Sequence, residues 1–309
     1  MISVIIPLFN KASHIQSTLS LAETSLKKAG VEYQIVIVND GSKDDSALKV
    51  KEWIGNDINR SQVSLLLNQE NQGVSAARNT GWQNAKYDLI AFLDADDEWL
   101  EDHVSEIISL TKDFPAASMY ATAWAEVNKD GIKREKSFGR GTENRGILPC
   151  FFDAMATGPM VVSSSTVATW KKYLTKTGGF LRGVTHGEDK VAWGKLALLG
   201  DVAFSPVVGG IWRKDAENRS DLIAENRLGR GTLAAFLELC VTPALNSERT
   251  PQHLIPGLKN CWLVEKARSM GLIEFYYHDT PDKIQKMFYE YQEFENKMPQ
   301  ISNKMHFNP

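Results

Sequence analysis

Over the first hundred residues, short apolar runs rich in β-branched side chains alternate with longer stretches whose apolar positions recur at helical spacing. The runs are residues 2–7 (ISVIIP), 34–38 (QIVIV), 63–67 (VSLLL) and 89–93 (LIAFL), and each predicts a strand, the first with the β-branched composition of a buried parallel strand. Between the first two, Ile15, Leu19, Ala22 and Leu26 mark a helix, with Ser13 and Gln16 at capping-box spacing near its start. Residues 44–54 and 73–85 predict two more helices. This β-α-β-α-β-α-β order predicts an α/β fold with a doubly wound, mostly parallel (mixed) sheet flanked by helices. Ligands of such sheets bind outside the carboxyl ends of the strands. Those ends carry Pro7-Leu8-Phe9-Asn10, Asn39-Asp40-Gly41-Ser42, residues 68–73 and Asp94-Ala95-Asp96-Asp97. Three of the four place acids or amides where a ligand would sit.

The later pattern is less regular. Residues 119–127, 160–167 and 202–208 read as strands, 129–149 as a charged, glycine-containing loop, and 188–199 as a helix. From about residue 222 the chain reads as mainly helical, with Thr280 as N-cap and Pro281 at the first position of a final helix. The expected division is one α/β domain over 1–221, with halves of about 1–97 and 98–221, followed by a helical extension over 222–309. A net charge of −3 argues against nucleic acid as a partner. Cys150, Cys240 and Cys261 are far apart and lack CxxC spacing, so neither a disulfide framework nor a zinc site is expected. The N-terminal apolar run is short and has no basic leader, so it reads as a first strand and not a signal peptide. No apolar run is long enough to span a bilayer. The expected location is cytoplasmic, at most peripheral to the inner face of the membrane. Oligomeric state is not legible in the pattern.

Asp94-Ala95-Asp96-Asp97 sets three carboxylates within four residues, straight after a buried strand. Carboxylates this close repel, and a cation resolves the repulsion. Mg²⁺ or Mn²⁺ held by one or two carboxylates plus substrate phosphates is the usual arrangement. Standing alone, such a run reads more readily as a solvated acidic turn. Gly73 and the helix start behind it add a second hint, since free N–H groups and the helix dipole favour an anion there.

Four ordered segments carry a resemblance: Val4-Ile5-Ile6-Pro7-Leu8-Phe9-Asn10, Val38-Asn39-Asp40-Gly41-Ser42-Lys43-Asp44, Asn71-Gln72-Gly73-Val74-Ser75-Ala76-Ala77-Arg78-Asn79-Thr80-Gly81, and Phe92-Leu93-Asp94-Ala95-Asp96-Asp97. Together the chain resembles glycosyltransferase family 2, with the GT-A fold over 1–221. A looser set, Gly179-Phe180, Glu188-Asp189 with Trp193, and Trp212-Arg213, extends the likeness to about residue 220. The resemblance implies an inverting transferase, of hexosyl or N-acetylhexosaminyl type, that takes a sugar from a UDP-sugar with Mn²⁺ or Mg²⁺ as cofactor. The acceptor would be a glycan or a lipid-linked saccharide, and the setting surface polysaccharide biosynthesis.

Roles follow for matching positions. Pro7, Phe9 and Asn10 would form the nucleoside pocket, and Asp40 would accept a hydrogen bond from the uracil N–H. Arg78 would reach the base or the phosphates. Asp94 would contact the ribose, Ala95 would line the nucleotide, and Asp96 would bind the metal. In the second constellation, Gly187-Glu188-Asp189, the resemblance makes Asp189 the base that deprotonates the acceptor hydroxyl, with Glu188 orienting it or the acceptor. Trp193 and Ser164 are candidates for acceptor binding. Many relatives carry Arg-x-His after the last strand, where this chain has Arg213-Lys214-Asp215. Either Asp215 takes the histidine's place at the metal, or Arg219 or Lys214 covers the phosphates. The aromatics between Phe275 and Phe294 read more readily as packing for the last helices than as a sugar or lipid surface.

Two other functions share parts of this pattern. A nucleotidyltransferase would begin with a glycine- and basic-rich triphosphate loop, and Pro7-Leu8-Phe9-Asn10-Lys11 has no glycine. A non-catalytic nucleotide-sugar binder would have lost the base or the metal acid, and Asp189 and Asp96 are both present.

Overall fold

All four apolar runs of the first half form strands: β1 (Ile2–Leu8), β2 (Tyr33–Asp40), β3 (Ser64–Gln69) and β4 (Leu89–Phe92). The computed structural model describes residues 1–128, 130–131, 133–135, 138–183, 187–214 and 236–269. Helices α1 (Ile15–Ala29), α2 (Ser46–Gly55), α3 (Ile58–Val63) and α4 (Val74–Gln83) connect those strands. Then follow β5 (Glu98–Trp99), α5 (His103–Asp113), β6 (Met119–Val127), β7 (Lys133–Glu135), β8 (Gly146–Ile147), α6 (Phe151–Thr157), β9 (Val167–Trp170), α7 (Lys171–Thr177), α8 (Glu188–Ala197) and β10 (Val202–Arg213). The described C-terminal part is helical: a π turn at Leu237–Val241, α9 (Thr242–Leu245), a 3₁₀ turn at Gln252–Leu254 and α10 (Ile255–Ser269).

The strands form one mixed sheet in the order β3-β2-β1-β4-β9-β6-β10-β5. β3, β2, β1 and β4 are mutually parallel, and β9 runs antiparallel to both of its neighbours, β4 and β6. β1, β4 and most of β2 are buried because helices cover both faces, whereas β3, at the end of the sheet, is only partly buried. Ile2, Val4, Ile6 and Leu8 pack with Leu19 and Leu26 of α1 and with Ile107 and Leu110 of α5. Ile5 faces the other way, with Val36, Val38, and Ala77 and Trp82 of α4. That second core continues through Phe92, Phe180 and Trp193, three rings packed pairwise with centroids 5.2–5.6 Å apart. α10 closes this side against α6, where Asn260 Nδ2 donates to Asp153 Oδ1 at 2.8 Å.

Local chemistry moves some boundaries. Ser13 does not cap α1, whose N-cap residue is His14. The chain enters through a turn in which Lys11 O accepts from the N–H groups of His14 and Ile15 at 3.0 Å each. The strand expected at 160–167 is displaced to β9, because the serines turn the chain: Ser165 N–H donates to Ser163 Oγ at 3.2 Å and Thr166 N–H to Ser163 O at 3.1 Å. β10 runs five residues past the expected end, with register shifts on either side of Val208. The expected domain boundary at 221, the Thr280–Pro281 helix start and the late aromatics lie outside the described residues. Among the described residues no helix is long and apolar enough to cross a membrane.

Gly81 sets the approach of α4 to the sheet, because a Cβ there would collide with Ile5 Cγ2. Helix propensity alone predicts that Gly81→Ala stabilises by about 1 kcal/mol. Overpacking of this kind costs roughly 1–3 kcal/mol, and the Ile5 methyl is fixed on a central strand. Urea denaturation of Gly81→Ala is therefore expected to show a net loss of stability, and a gain would mean that the helix can back away from the sheet.

Candidate active site

The carboxyl ends of β1 and β2 are tied together by their own loops. Asn10 adopts a left-handed conformation, φ +52°, which Asn tolerates better than most residues. Its N–H donates to Ser42 Oγ at 3.1 Å and its Oδ1 accepts from Lys43 N–H at 2.8 Å. Lys11 N–H donates to Ser46 Oγ at 2.8 Å, and Ala12 N–H to Asp44 Oδ2 at 3.0 Å. Pro7 is buried in its strand, and Phe9 stands 43% exposed beside the loop. Asp40 is buried and already serves the protein. Oδ1 accepts from Gln69 Nε2 at 2.6 Å and Gln72 N–H at 3.0 Å, and Oδ2 from Gly73 N–H at 2.8 Å. The anion drawn to the start of α4 is thus Asp40 itself, and its bonds hold Gly73 at φ +87°.

The three acids of the acidic run have three different surroundings. Asp97 is buried, and burial first, then Asp96 and Asp94, push its carboxyl well above the usual range. The Ser165 hydroxyl and, at 3.1 Å, the Arg213 N–H donate to it. Asp94 accepts from Arg78 Nη2 at 2.8 Å and keeps a third of its side chain exposed. Asp96 lies 2.6 Å from the Lys11 ammonium. Ala95 is buried, and its carbonyl accepts from Thr18 Oγ1 at 3.1 Å. Among the described residues no three His, Cys, Asp or Glu side chains are grouped to hold a metal on their own. Asp96 nevertheless already carries a cation, the ammonium, and one carboxylate in such a place suits a divalent ion whose other ligands are substrate phosphates.

Arg78 joins this run to the second constellation. Its guanidinium is buried, donating through Nη2 to Asp94 and through Nη1 to Glu188 at 2.8 Å each, over the face of Phe180 at 5.3 Å. Burial opposes its charge, but Asp94, Glu188 and Asp189 outweigh it and Arg78 holds its proton more firmly than usual. The next residue, Asn79, donates to Phe180 O at 2.7 Å and accepts from Phe180 N–H at 2.9 Å. Glu188 opens α8. Burial first, then Asp189, raise its carboxyl to about 7, with Arg78 pulling the other way. Asp189 is more exposed. Its Oδ1 accepts from Lys190 N–H at 2.7 Å, and the buried Ser164 hydroxyl lies 3.4 Å from Oδ2.

The expected site residues therefore divide. Phe9, Asn10, Asp94 and Asp96 gather at the carboxyl ends of β1 and β4, and Arg78 connects Asp94 to the helix that carries Asp189. Arg78 was expected to reach the nucleotide, but it is 3% exposed and committed to two carboxylates. Trp193, expected against an acceptor, is fully buried between Phe92 and Phe180, because its position on α8 faces the core. Ser164 meets Asp189 and is itself buried. Lys214 pairs with Glu126 at 2.8 Å and Arg213 with Glu98 at 2.6 Å. Asp215 and Arg219 lie outside the described residues. Lys11 and Asn79 were missed as site residues. Asn79 stands inside a family-like segment and Lys11 just after one, but their partners are 101 and 85 positions away and nothing local names them.

Replacing Arg78 by Met strands the buried Glu188 carboxylate and leaves the part-exposed Asp94 without this partner, and breaking a buried pair costs about 3–5 kcal/mol. Urea denaturation near neutral pH is expected to show a loss of that order, partly restored by adding Glu188→Gln. Equal stability of the single and double variants would remove the pairing from the account. Glu188 also makes stability depend on pH. Its folded value, about 7, lies above the ordinary 4.5, so between the two the folded chain binds a proton that the unfolded chain has lost. Stability contributed by this group is full below about 4.5 and falls as pH rises through about 7. The stability of wild type relative to Glu188→Gln should fall across that window, and a flat difference would contradict the raised value.

Comparison with known proteins agrees with this fold. The chain matches over 36% identity and 110 residues a glycosyltransferase of Haloferax volcanii, covering 34% of this chain and 35% of that protein. It is 30% identical over 132 residues to the UDP-Glc:alpha-D-GlcNAc-diphosphoundecaprenol beta-1,3-glucosyltransferase of Escherichia coli, over 43% of this chain and 49% of that enzyme. Each match thus spans half or less of the relative's length. Among solved structures, S. aureus TarS residues 1–349 in complex with UDP-GlcNAc superposes with a TM-score of 0.66 at 16% identity, covering 87% of this chain and 72% of that one. A mannosyltransferase from Pyrobaculum calidifontis in complex with GDP-Man and Mn²⁺ superposes with a TM-score of 0.60 at 17% identity, over 96% and 81%. These neighbours share the GT-A fold. The model of glycosyl transferase family 2 matches residues 3–163, just over half of the chain, and the protein belongs to that family.

Proposed function

We propose that the protein is an inverting glycosyltransferase that moves a sugar from a UDP-sugar to a hydroxyl of a glycan or lipid-linked acceptor, in the making of a surface polysaccharide. One observation carries this reading. A single buried guanidinium, Arg78, binds at 2.8 Å both an acid of the donor-side run and the glutamate adjoining Asp189. This pairing supports a reading in which the acidic run receives the diphosphate and Asp189, next to Glu188, is the base. The donor class is supported by the Escherichia coli relative, named for UDP-Glc, and by the TarS complex with UDP-GlcNAc.

In this mechanism the nucleoside lies over the carboxyl ends of β1 and β2, against Phe9. Asp40 Oδ2, which accepts a single bond among the described residues, takes the uracil N–H. Asp94 meets the ribose with its exposed third. A divalent ion, when bound, would be held by Asp96 and would stabilise the charge gathering on the leaving diphosphate. The acceptor hydroxyl oxygen bonds to the anomeric carbon as that carbon's bond to the diphosphate oxygen breaks, and Asp189 takes the hydroxyl proton. Attack from the face opposite the leaving group inverts the anomeric centre. Glu188, fixed by Arg78, holds the start of α8, and Ser164 and Lys190 N–H restrict the Asp189 carboxylate. The leaving diphosphate needs no proton, so one base is enough.

Calorimetric titration with UDP, with GDP as control and with and without Mn²⁺, tests the donor half. UDP should bind, more tightly with Mn²⁺ and in preference to GDP, and absence of UDP binding in every condition would overturn the donor assignment. Asp189→Asn should keep that binding and lose transfer from a UDP-sugar by about 10²–10⁴-fold, the usual worth of a general base. Undiminished transfer would remove Asp189 from its role.

A further inference from the structure

The pair between Lys11 and Asp96 has no place in the mechanism above. Its ends are 2.6 Å apart, with side chains only 12% and 15% exposed. Surface pairs of long side chains drift, but both partners here are anchored. Lys11 is fixed by its N–H on Ser46 Oγ and by its carbonyl, which accepts from His14 and Ile15. On the other side Thr18 Oγ1 donates to the carbonyls flanking Asp96, Ala95 O at 3.1 Å and Asp97 O at 3.0 Å, and Asp97 N–H closes the turn onto Asp94 O at 3.1 Å. The fold therefore delivers an ammonium to the carboxylate expected to hold the divalent ion.

We propose that Lys11 is the built-in counter-ion of Asp96, which a divalent cation must displace in order to bind. This rests on the reading of Asp96 as the metal-holding acid. An ammonium and a divalent ion cannot both sit in contact with one carboxylate without strong repulsion. Displacement costs the ammonium its contact with Asp96 in a part-buried place. A donor diphosphate removes that cost, because its oxygens offer the ammonium charge-assisted hydrogen bonds within reach of the same loop. Metal and nucleotide should then bind well together, and metal alone poorly. In the donor-free protein the lysine also answers the repulsion that the acidic run would otherwise suffer.

Mn²⁺ binding to the full chain without nucleotide, followed by the electron paramagnetic resonance signal of free Mn²⁺, tests this directly. Lys11→Gln should bind Mn²⁺ about ten-fold more tightly than wild type, or better. Lys11→Arg, which keeps the charge, should stay close to wild type. The gain should vanish in Lys11→Gln/Asp96→Asn. Affinity of Lys11→Gln within about two-fold of wild type would overturn the proposal, as would a gain that survives loss of the Asp96 charge. A parallel UDP titration with Mn²⁺ separates the two levels of inference. If wild type takes up UDP and Lys11→Gln gains no metal affinity, the counter-ion role alone fails. If wild type takes up no UDP, the donor assignment fails, and the nucleotide-free arm still judges the lysine.

Discussion

The site depends on the burial of one guanidinium. Arg78 is on α4, a helix whose other buried residues pack onto the sheet, and its charge is tolerable there only because Asp94 and Glu188 both reach it. Those partners come from the end of β4 and the start of α8, so one side chain fixes three elements at once. Asn79 repeats the join one residue later with the backbone of Phe180, and the Phe180 ring lies under the guanidinium. Arginine suits this position because its planar fork serves two carboxylates in fixed directions. A lysine would offer a point charge and lose the second geometry.

Around this bridge, burial sorts chemically identical carboxylates into different duties. Asp97 sits in the deepest place and keeps the polar seam between the acidic turn and β10. Asp94 shares the bridge, and Asp96 faces the ammonium of Lys11. On the other side Glu188 is withdrawn and raised toward neutrality, while Asp189, one residue on, remains half-buried. Neighbouring acids whose environments push them apart are a usual way to separate a structural or orienting carboxyl from a reactive one. The same logic explains why Asp40 is so heavily bonded. A carboxylate under a helix start is stabilised by the N–H groups it caps, and in return it shapes the loop beside it.

Much of this was legible in the chain. The parallel half of the sheet could be read because strands covered on both faces carry unbroken apolar runs, as β1 and the middle of β2 do. The four motif segments could be read because the polar tips of such strands have one common location. Boundaries set by side-chain-to-backbone bonds were not legible. Ser163 to Thr166 spell a strand by composition and form a turn by hydrogen bonding. The resemblance groups Trp193 with the acids at the start of α8 and so makes it a candidate for the acceptor. Only the packing of α8 shows that this position points into the rings of Phe92 and Phe180.

The sequence by itself determined the fold class, the family and the set of acids, because hydrophobic periodicity and short motifs are local properties of the chain. Tertiary structure alone decided which acid faces which cation. The Lys11–Asp96 and Arg78–Glu188 pairs span 85 and 110 positions, and their formation depends on strand order, on the turn at Asn10 and on the depth at which α4 meets the sheet. Charge pairing is a matter of distance and burial, and neither is written along the chain.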